Sequence, residues 1–299
     1  MKILKWIGII LLFLVGIVCG VVFFMVNKAD NILSKKYTVE PVKVTLPTDS
    51  ISLARGKLLA SGCYECHGDH LEGKVFFEDP SIGTVYSPNL TMGKGSVVAN
   101  FSDKDWVRAV RNGVAPDGRG LFIMPSQDFH AMSEQDLGAV LAYLKTVAAV
   151  DNEHKENNMK LFGKLLIGLG AFGDVIPAET IDPNEGFKAS YPMIGVTKEY
   201  GNYLVDISGC KSCHGKELNG MDTGDPNSPP GSNLTPSGNL AHWSETDFIN
   251  TFRTGKTPEG KELIAKYMPW KAISNYPDDH LAAIYQYLKS LPKKETGYK

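Results

Sequence analysis

Two short clusters in this chain bring a pair of cysteines and a histidine together: Cys63-Tyr64-Glu65-Cys66-His67 and Cys210-Lys211-Ser212-Cys213-His214. Both read C-x-x-C-H, the attachment signature of c-type haem. At this spacing two thioethers hold the haem vinyl groups from one side. The adjacent histidine then reaches the iron from the same face as its proximal ligand. A C-x-x-C pair also occurs in redox disulfides and as half of a zinc site. A zinc site would need both pairs in one domain, and here they lie far apart in the chain. A thioredoxin-type disulfide would need a strand–helix–strand setting, which the flanking sequence lacks. The sequence therefore favours two covalently bound haem c groups, each with its iron.

A c-type iron usually takes a second axial ligand, and methionine in that position raises the potential. Met124 and Met268 are the candidates. Each stands just before a proline in a stretch without helical period, and each follows its histidine at a similar interval. A lone methionine is ordinarily core filler; two at matching places in a repeat are a different observation. Met92 and Met132 are rivals in the first copy, and Met221 is the rival in the second. His130 is the main bis-histidine rival for the first iron. His70, His154, His242 and His280 recur at no equivalent position and read as surface or internally satisfied histidines. No residue is assigned a catalytic role.

The matching places belong to an internal repeat. The first motif is followed by Pro88-Asn89-Leu90-Thr91, Phe101 to Trp106, Arg111-Asn112-Gly113, Met124-Pro125 and Tyr143-Leu144-Lys145. The second is followed in the same order by Ser232-Asn233-Leu234-Thr235, Trp243 to Phe248, Arg253-Thr254-Gly255, Met268-Pro269 and Tyr287-Leu288-Lys289. A 19-residue step separates Met124 from Tyr143 and Met268 from Tyr287.

The elements that must position these residues read as helices. Ser102-x-x-Asp105, Ser133-x-x-Asp136 and Ser244-x-x-Asp247 resemble capping-box starts. Leu137, Val140, Leu141, Leu144 and Val147 form an apolar stripe at helical spacing, repeated by Leu281, Ile284, Tyr285, Leu288 and Leu291. Leu53 to Ser61 and Tyr200 to Ile207 read as short helices before each motif. The small Gly56 and Gly201 would let them cross closely over the terminal helices, where Tyr143 and Tyr287 pack. No run of alternating strands stands out. The expected fold is all-α: two tandem domains, 50–150 and 196–293, behind an N-terminal transmembrane helix, with a tail at 294–299.

Ile7 to Val26 is an uncharged run of apolar residues and glycines, and about 20 such residues span a bilayer as a helix. Lys2 and Lys5 precede it, so the positive-inside rule keeps the N-terminus cytoplasmic and places the rest outside. A cleaved signal peptide is the rival reading, but no small-x-small cleavage site follows the run. Lipid attachment at Cys19 is disfavoured by the bulky Val18. Residues 1–27 are thus read as an anchor, 28–49 as a tether and 151–195 as a linker. Within that linker, Leu161 to Gly170 is too short and glycine-rich to span a bilayer. Docking between the two haem domains is the favoured reading, and a dip into the membrane interface is the rival.

These residues resemble class I cytochrome c domains, and especially the bacterial multihaem cytochrome c subunits of membrane-bound alcohol and aldehyde dehydrogenases. The resemblance rests on C-x-x-C-H, the P-N-L-T segment, the R-x-G turn and M-P, and covers roughly two-thirds of the chain. It implies that the Pro88 carbonyl accepts a hydrogen bond from the ring of His67, with Ser232 in the equivalent place for His214. It also brings Trp106, Arg111, Trp243 and Arg253 forward as propionate holders, with core packing and surface charge as equal readings. The subunits it resembles typically carry three motifs and a C-terminal amphipathic anchor; this chain has two motifs and an N-terminal anchor.

With formal net charge −2, no basic field points to nucleic acid. Two protein ligands per iron leave no open position for substrate. The expected function is electron transfer between an extracytoplasmic dehydrogenase or quinol oxidiser and a terminal acceptor, from the periplasmic side of the cytoplasmic membrane. Its partners would be redox proteins: a dehydrogenase, an oxidase or another cytochrome. A dihaem peroxidase is the enzyme alternative. A thiosulfate-dehydrogenase-like enzyme would need a cysteine ligand, and no spare cysteine exists outside the anchor.

Overall fold

The computed structural model describes residues 2–153, 155–187, 193–224 and 228–298; His154 lies outside them. α1 (Lys2–Ser34) carries the apolar run, is unburied there, and is long and apolar enough to cross a membrane. It continues past Asn27 to Ser34, so helical order reaches into the expected tether. Residues 35–49 then run over the first half of the protein. Tyr37 N donates to the Gly118 carbonyl at 2.8 Å, and Val42, Val44 and Leu46 pack on the core.

The first half holds α2 (Ser50–Leu59), α3 (Ser61–His67), α4 (Asp103–Asn112), α5 (Ser126–Phe129) and α6 (Glu134–Leu144). α7 (Leu161–Leu169) follows, and then α8 (Lys198–Ile207), α9 (Cys210–His214), α10 (Glu245–Thr254), α11 (Trp270–Ile273) and α12 (Asp278–Ser290). The starts of α4 and α10 are full capping boxes, made by Ser102 with Asp105 and Ser244 with Asp247. Each box satisfies two of the N–H groups that a helix start leaves open. At α6, Ser133 accepts from Asp136 N, but the Asp136 carboxylate turns away to Arg55. The apolar stripes are buried: Leu137, Val140, Leu141 and Leu144 in α6, and Leu281, Ile284 and Leu288 in α12. Each fully buried aliphatic side chain contributes about 1.5–3 kcal/mol. α2 lies across α6 and α8 across α12.

The fold is mostly helical rather than all-α. β1 (Lys74–Asp79), β2 (Gly83–Ser87) and β3 (Asn158–Met159) form an antiparallel sheet in that order. Val75, Phe76, Phe77, Thr84, Val85 and Tyr86 are β-branched or aromatic and favour strand. Between the strands the Asp79 side chain accepts from Ser81 N and Ile82 N at 2.7 and 2.9 Å, closing the turn. Residues 74–78 of β1 are all exposed, so the period-2 pattern that reveals a half-buried strand is missing from it.

α7 does not dock between the two haem-motif halves; it packs along the end of α1. Its buried Ile167 joins Ala29, Val175 and Ile176 in a small separate cluster. The halves instead meet directly. Their buried apolar residues form one continuous core, with α11 packed on α3 and α5 on α8. A polar network crosses the junction. Arg55 pairs with Asp136 at 2.8 Å, donates to the Tyr200 hydroxyl at 2.7 Å, and stands 3.0 Å from His280 Nε2. Tyr203 donates to Asp136 at 2.6 Å.

Candidate functional site

The first C-x-x-C-H lies on α3, which stops at Gly68 with φ +92°. Leu71 takes a left-handed φ of +61°, and Gly73 N returns to the His67 carbonyl at 2.7 Å. Leu90 N donates to the Leu71 carbonyl at 2.8 Å. This double-backed loop carries the Pro88 carbonyl to 2.9 Å from His67 Nδ1. The second motif, on α9, repeats each step. Gly215 and Leu218 have φ +82° and +57°, Gly220 N returns to the His214 carbonyl at 2.9 Å, and Leu234 N meets the Leu218 carbonyl at 2.8 Å. The Ser232 carbonyl stands 2.8 Å from His214 Nδ1. Proline is therefore not needed for this contact, because the loop around it places the carbonyl.

A carbonyl can only accept, so Nδ1 of each ring carries the proton and Nε2 is left with its lone pair for a metal. Burial also holds both imidazoles below their ordinary pKa, which keeps them neutral. Burial pushes the Cys63 and Cys210 thiols up to about 12, so they rest as thiols and not as reactive thiolates.

In the first half, Cys63, Cys66, His67, Pro88, Trp106 and Met124 share the wall of one cavity of about 390 Å³. The rest of the lining is largely apolar, as a cofactor site requires. Met124 is delivered by a defined turn. Gly113 closes α4 with φ +67°, its carbonyl accepts from Leu121 N at 2.7 Å, and Ile123 takes φ +64°. A β-branched residue in that region is strained; here it stands beside a candidate iron ligand. The turn to Met268 opens the same way but is two residues longer, and Met268 N donates to the Ile264 carbonyl at 2.9 Å. Gly255 closes α10 with φ +71° and its carbonyl accepts from Leu263 N at 2.7 Å. Pro125 and Pro269 have nearly equal backbone angles, φ −78°, ψ 55° and φ −74°, ψ 56°.

The rivals separate. Met92 is 43% exposed and does not line the cavity. Met132 lines it from deep in the core. Both ring nitrogens of His130 are engaged, by Arg111 and by Glu185. Met221 sits in a backbone bridge with Gly231. His70 and His242 are exposed, and His280 is buried against Tyr200 at 2.6 Å.

The four residues brought forward as propionate holders also separate. Trp106 is buried in the cavity wall and its Nε1–H has no partner among the described residues. A buried donor without an acceptor costs about 1–3 kcal/mol, and a haem propionate would satisfy it. Trp243 Nε1 instead donates to Glu259 at 2.8 Å. In the second half the indole has moved to the position of Phe101, and Phe248 stands where the first half has Trp106. Arg111 donates to the Glu185 and Gly186 carbonyls, and Arg253 to the Ser274 and Tyr276 carbonyls. Both tie down backbone, and the buried Nε–H of Arg111, like the Trp106 indole, has no partner among the described residues. The neutral histidine, the pair of cysteines on one helix face, the apolar wall and the orphaned indole N–H fit a covalent haem. Thioethers from Cys63 and Cys66 and ligation by His67 would hold it, and it would supply one-electron chemistry.

One device escaped the sequence reading. Asn89 Oδ1 accepts from the Thr91 amide and hydroxyl, both at 2.8 Å, while its Nδ2 donates to the Val150 carbonyl at 2.8 Å. Asn233 does the same with Thr235, and its Nδ2 donates to the Lys294 carbonyl at 2.9 Å. The Asn-x-Thr of each histidine loop thus clamps the chain leaving each terminal helix. Its signal was the repeated N-L-T itself.

Residues 53–148 match the cytochrome c family profile. The fructose dehydrogenase cytochrome subunit of Gluconobacter japonicus is 27% identical over 86% of this chain and 56% of its own length. The cytochrome c subunit of the quinone alcohol dehydrogenase of Gluconobacter oxydans is 26% identical over 83% of the chain and 56% of its own length. That of the gluconate 2-dehydrogenase of Pantoea cypripedii is 28% identical over 81% and 60%. The chain thus spans a little over half the length of these relatives. Residues 53–148 are a cytochrome c domain, built for haem and electron transfer, and the chain around it resembles the cytochrome c subunits of bacterial dehydrogenases.

Proposed function

We propose that this chain is a membrane-anchored dihaem c-type cytochrome. It passes electrons between an extracytoplasmic dehydrogenase or quinol oxidiser and a terminal acceptor. One haem is held by Cys63, Cys66 and His67, the other by Cys210, Cys213 and His214, with Met124 and Met268 as distal ligands. The two haem domains span 50–150 and 196–293. α1 crosses the cytoplasmic membrane once, with Lys2 and Lys5 inside and both haem domains on the periplasmic side.

The observation that carries this reading is the matched pair of histidines, each with Nδ1 held by a backbone carbonyl at 2.9 and 2.8 Å. Such a contact orients a ring for metal binding. It recurs with the same loop, the same clamp and a methionine turn that opens the same way. The shared core supports passage of electrons between the halves, since α5, just after Met124-Pro125, packs on α8, and α11, just after Met268-Pro269, packs on α3. With two protein ligands on each iron, no position is left for substrate, which favours a carrier over an enzyme.

The test is the intact mass of protein matured in a host that assembles c-type cytochromes, followed by reaction with hydrogen peroxide. The expected mass exceeds that of the chain by two haems, and the protein does not turn over peroxide. A gain of one haem would remove the second site. Rapid peroxide turnover at a high-spin haem would replace the carrier with a peroxidase.

A further inference from the structure

The helix α7 and the turn after it are poorly accounted for by a soluble linker. Leu161, Phe162, Leu169 and Phe172 are exposed, at 65, 48, 57 and 45%. No charged residue occurs between Lys164 and Asp174. Monomeric surfaces rarely leave such a cluster uncovered.

Contacts with α1 set its level. Near the N-terminal end of α7, Lys164 pairs with Asp30 at 2.7 Å. At the other end, Gly168 lies directly on the backbone carbonyl of Met25, so close that no side chain would fit. Lys28 Nζ donates to the Gly168 carbonyl at 2.9 Å. α7 therefore descends along α1 toward the apolar run, and its last residues stand level with the end of that run. Gly170 and Gly173, with φ +77° and +65°, then turn the chain back. The returning segment is fixed, because the Val175 carbonyl accepts from Ile123 N at 2.8 Å. The tip formed by Leu169 and Phe172 is thus held beside α1, at the depth where α1 leaves the hydrocarbon, with Lys28 and Lys164 just above it.

We infer that this tip is a second membrane contact, seated in the lipid interface next to the transmembrane helix. The inference rests on the reading of α1 as a membrane span. The lipid acyl boundary suits the apolar tip. The contact also has a consequence for the haem site. Phe122 packs in the cluster that joins α1 and α7 and at the same time lines the first cavity. One span alone would leave the haem domains free to swing; span and tip together fix their tilt, with the first haem site on the bilayer side.

The test uses nitroxide labels on the full haem-loaded chain in nanodiscs of mixed neutral and anionic lipid. Cys19 is the one cysteine outside the haem motifs, so the wild-type protein takes a label within the span. Leu169→Cys, Phe172→Cys and the exposed control Lys261→Cys are labelled in a Cys19→Ser background, with haem absorbance as the check on folding. Collision with oxygen, which enriches in lipid, is compared with collision with a water-soluble nickel chelate. The oxygen-to-chelate ratio at 169 and 172 is expected to be severalfold above that at 261 and to approach that at 19. Equal ratios at 169, 172 and 261, with a high ratio at 19, would overturn the tip contact and leave the span intact. A low ratio at 19 as well would remove the span itself and the tip with it. Labels at 169 and 172 shielded from both reagents would mean that protein covers the tip, which also overturns the inference.

Discussion

Gly56 lies so close to the Ala139 carbonyl that no side chain fits between α2 and α6 at their crossing. Gly201 has the same relation to Ala283 where α8 crosses α12, and Tyr143 and Tyr287 close the two crossings. A methyl group at either glycine would drive two buried helices apart. Gly56→Ala and Gly201→Ala are each expected to cost about 3 kcal/mol, the upper range for overpacking a well-packed core. Urea unfolding monitored in the far ultraviolet reads this directly. Gly195→Ala, where nothing approaches within 4 Å, should leave stability nearly unchanged.

These crossings were legible in the sequence because they need only a small residue at a fixed place in two copies. The terminal stripes were legible for the same reason, since burial on one helix face leaves a 3.6-residue period. The β1–β2 hairpin was not. β1 is exposed, so its Val75, Phe76 and Phe77 show no alternation, and only Pro80 and Gly83 mark the turn. The site divides likewise. Covalent attachment demands C-x-x-C-H and so writes itself into the sequence. The donor state of an indole depends on its neighbours, which is why Trp106 and Trp243 looked alike and turned out to differ. The place of α7 was hidden because its partner is α1, far away along the chain.

The junction between the halves should be sensitive to Arg55. Its pair with Asp136 is almost wholly buried, with 10% and 1% of the side chains exposed. The carboxylate and hydroxyl around it hold its pKa above the ordinary guanidinium value in spite of burial. Removing one partner leaves the other charge buried and uncompensated. Arg55→Met is expected to cost about 3–5 kcal/mol, read as a lowered urea midpoint. Lys145→Met, whose partner Asp103 is exposed, should cost about 1 kcal/mol or less.

Asp128 adds a pH dependence to the same junction. Burial pushes its carboxyl up to about 6, against the opposing hydrogen bond from Ser212. A raised folded pKa means that the folded protein holds this proton more tightly than the unfolded chain. The stability so gained is complete below the unfolded value near 3.8 and is lost as pH rises through about 6. The stability difference between wild type and Asp128→Asn should therefore fall between pH 4 and pH 7. Melting curves of both proteins across that range test it, and a difference that rises with pH would contradict the burial argument.

The indole of Trp106 should act on one haem only. A donor directed at a propionate offsets part of its negative charge, which favours the reduced iron. Trp106→Phe is expected to lower the potential of the first haem and to leave the second unmoved. Trp243→Phe breaks a bond to Glu259. It should move neither potential and cost about 1 kcal/mol of stability. Spectroelectrochemical titration of both variants separates these outcomes.

The proposed distal ligands would decide whether the two halves are equivalent at the metal. Met124 and Met268 occupy turns with the same glycine, the same returning amide and the same proline angles. If both bind iron, both oxidised haems are low-spin and show methionine-to-iron charge-transfer absorption. Met124→Ala and Met268→Ala should each remove roughly half of that absorption while both thioethers stay intact. Each should also lower the potential of its own haem once water or histidine fills the position, since methionine is the ligand that raises it. Met92→Ala and Met221→Ala should do neither. Met132 is the informative control, because it lines the same cavity as Met124 but lies in the apolar core. Met132→Leu keeps the volume and removes the sulfur, so it should leave the charge-transfer band in place. A band lost with Met132→Leu and kept with Met124→Ala would transfer the first iron to Met132 and break the equivalence of the two turns.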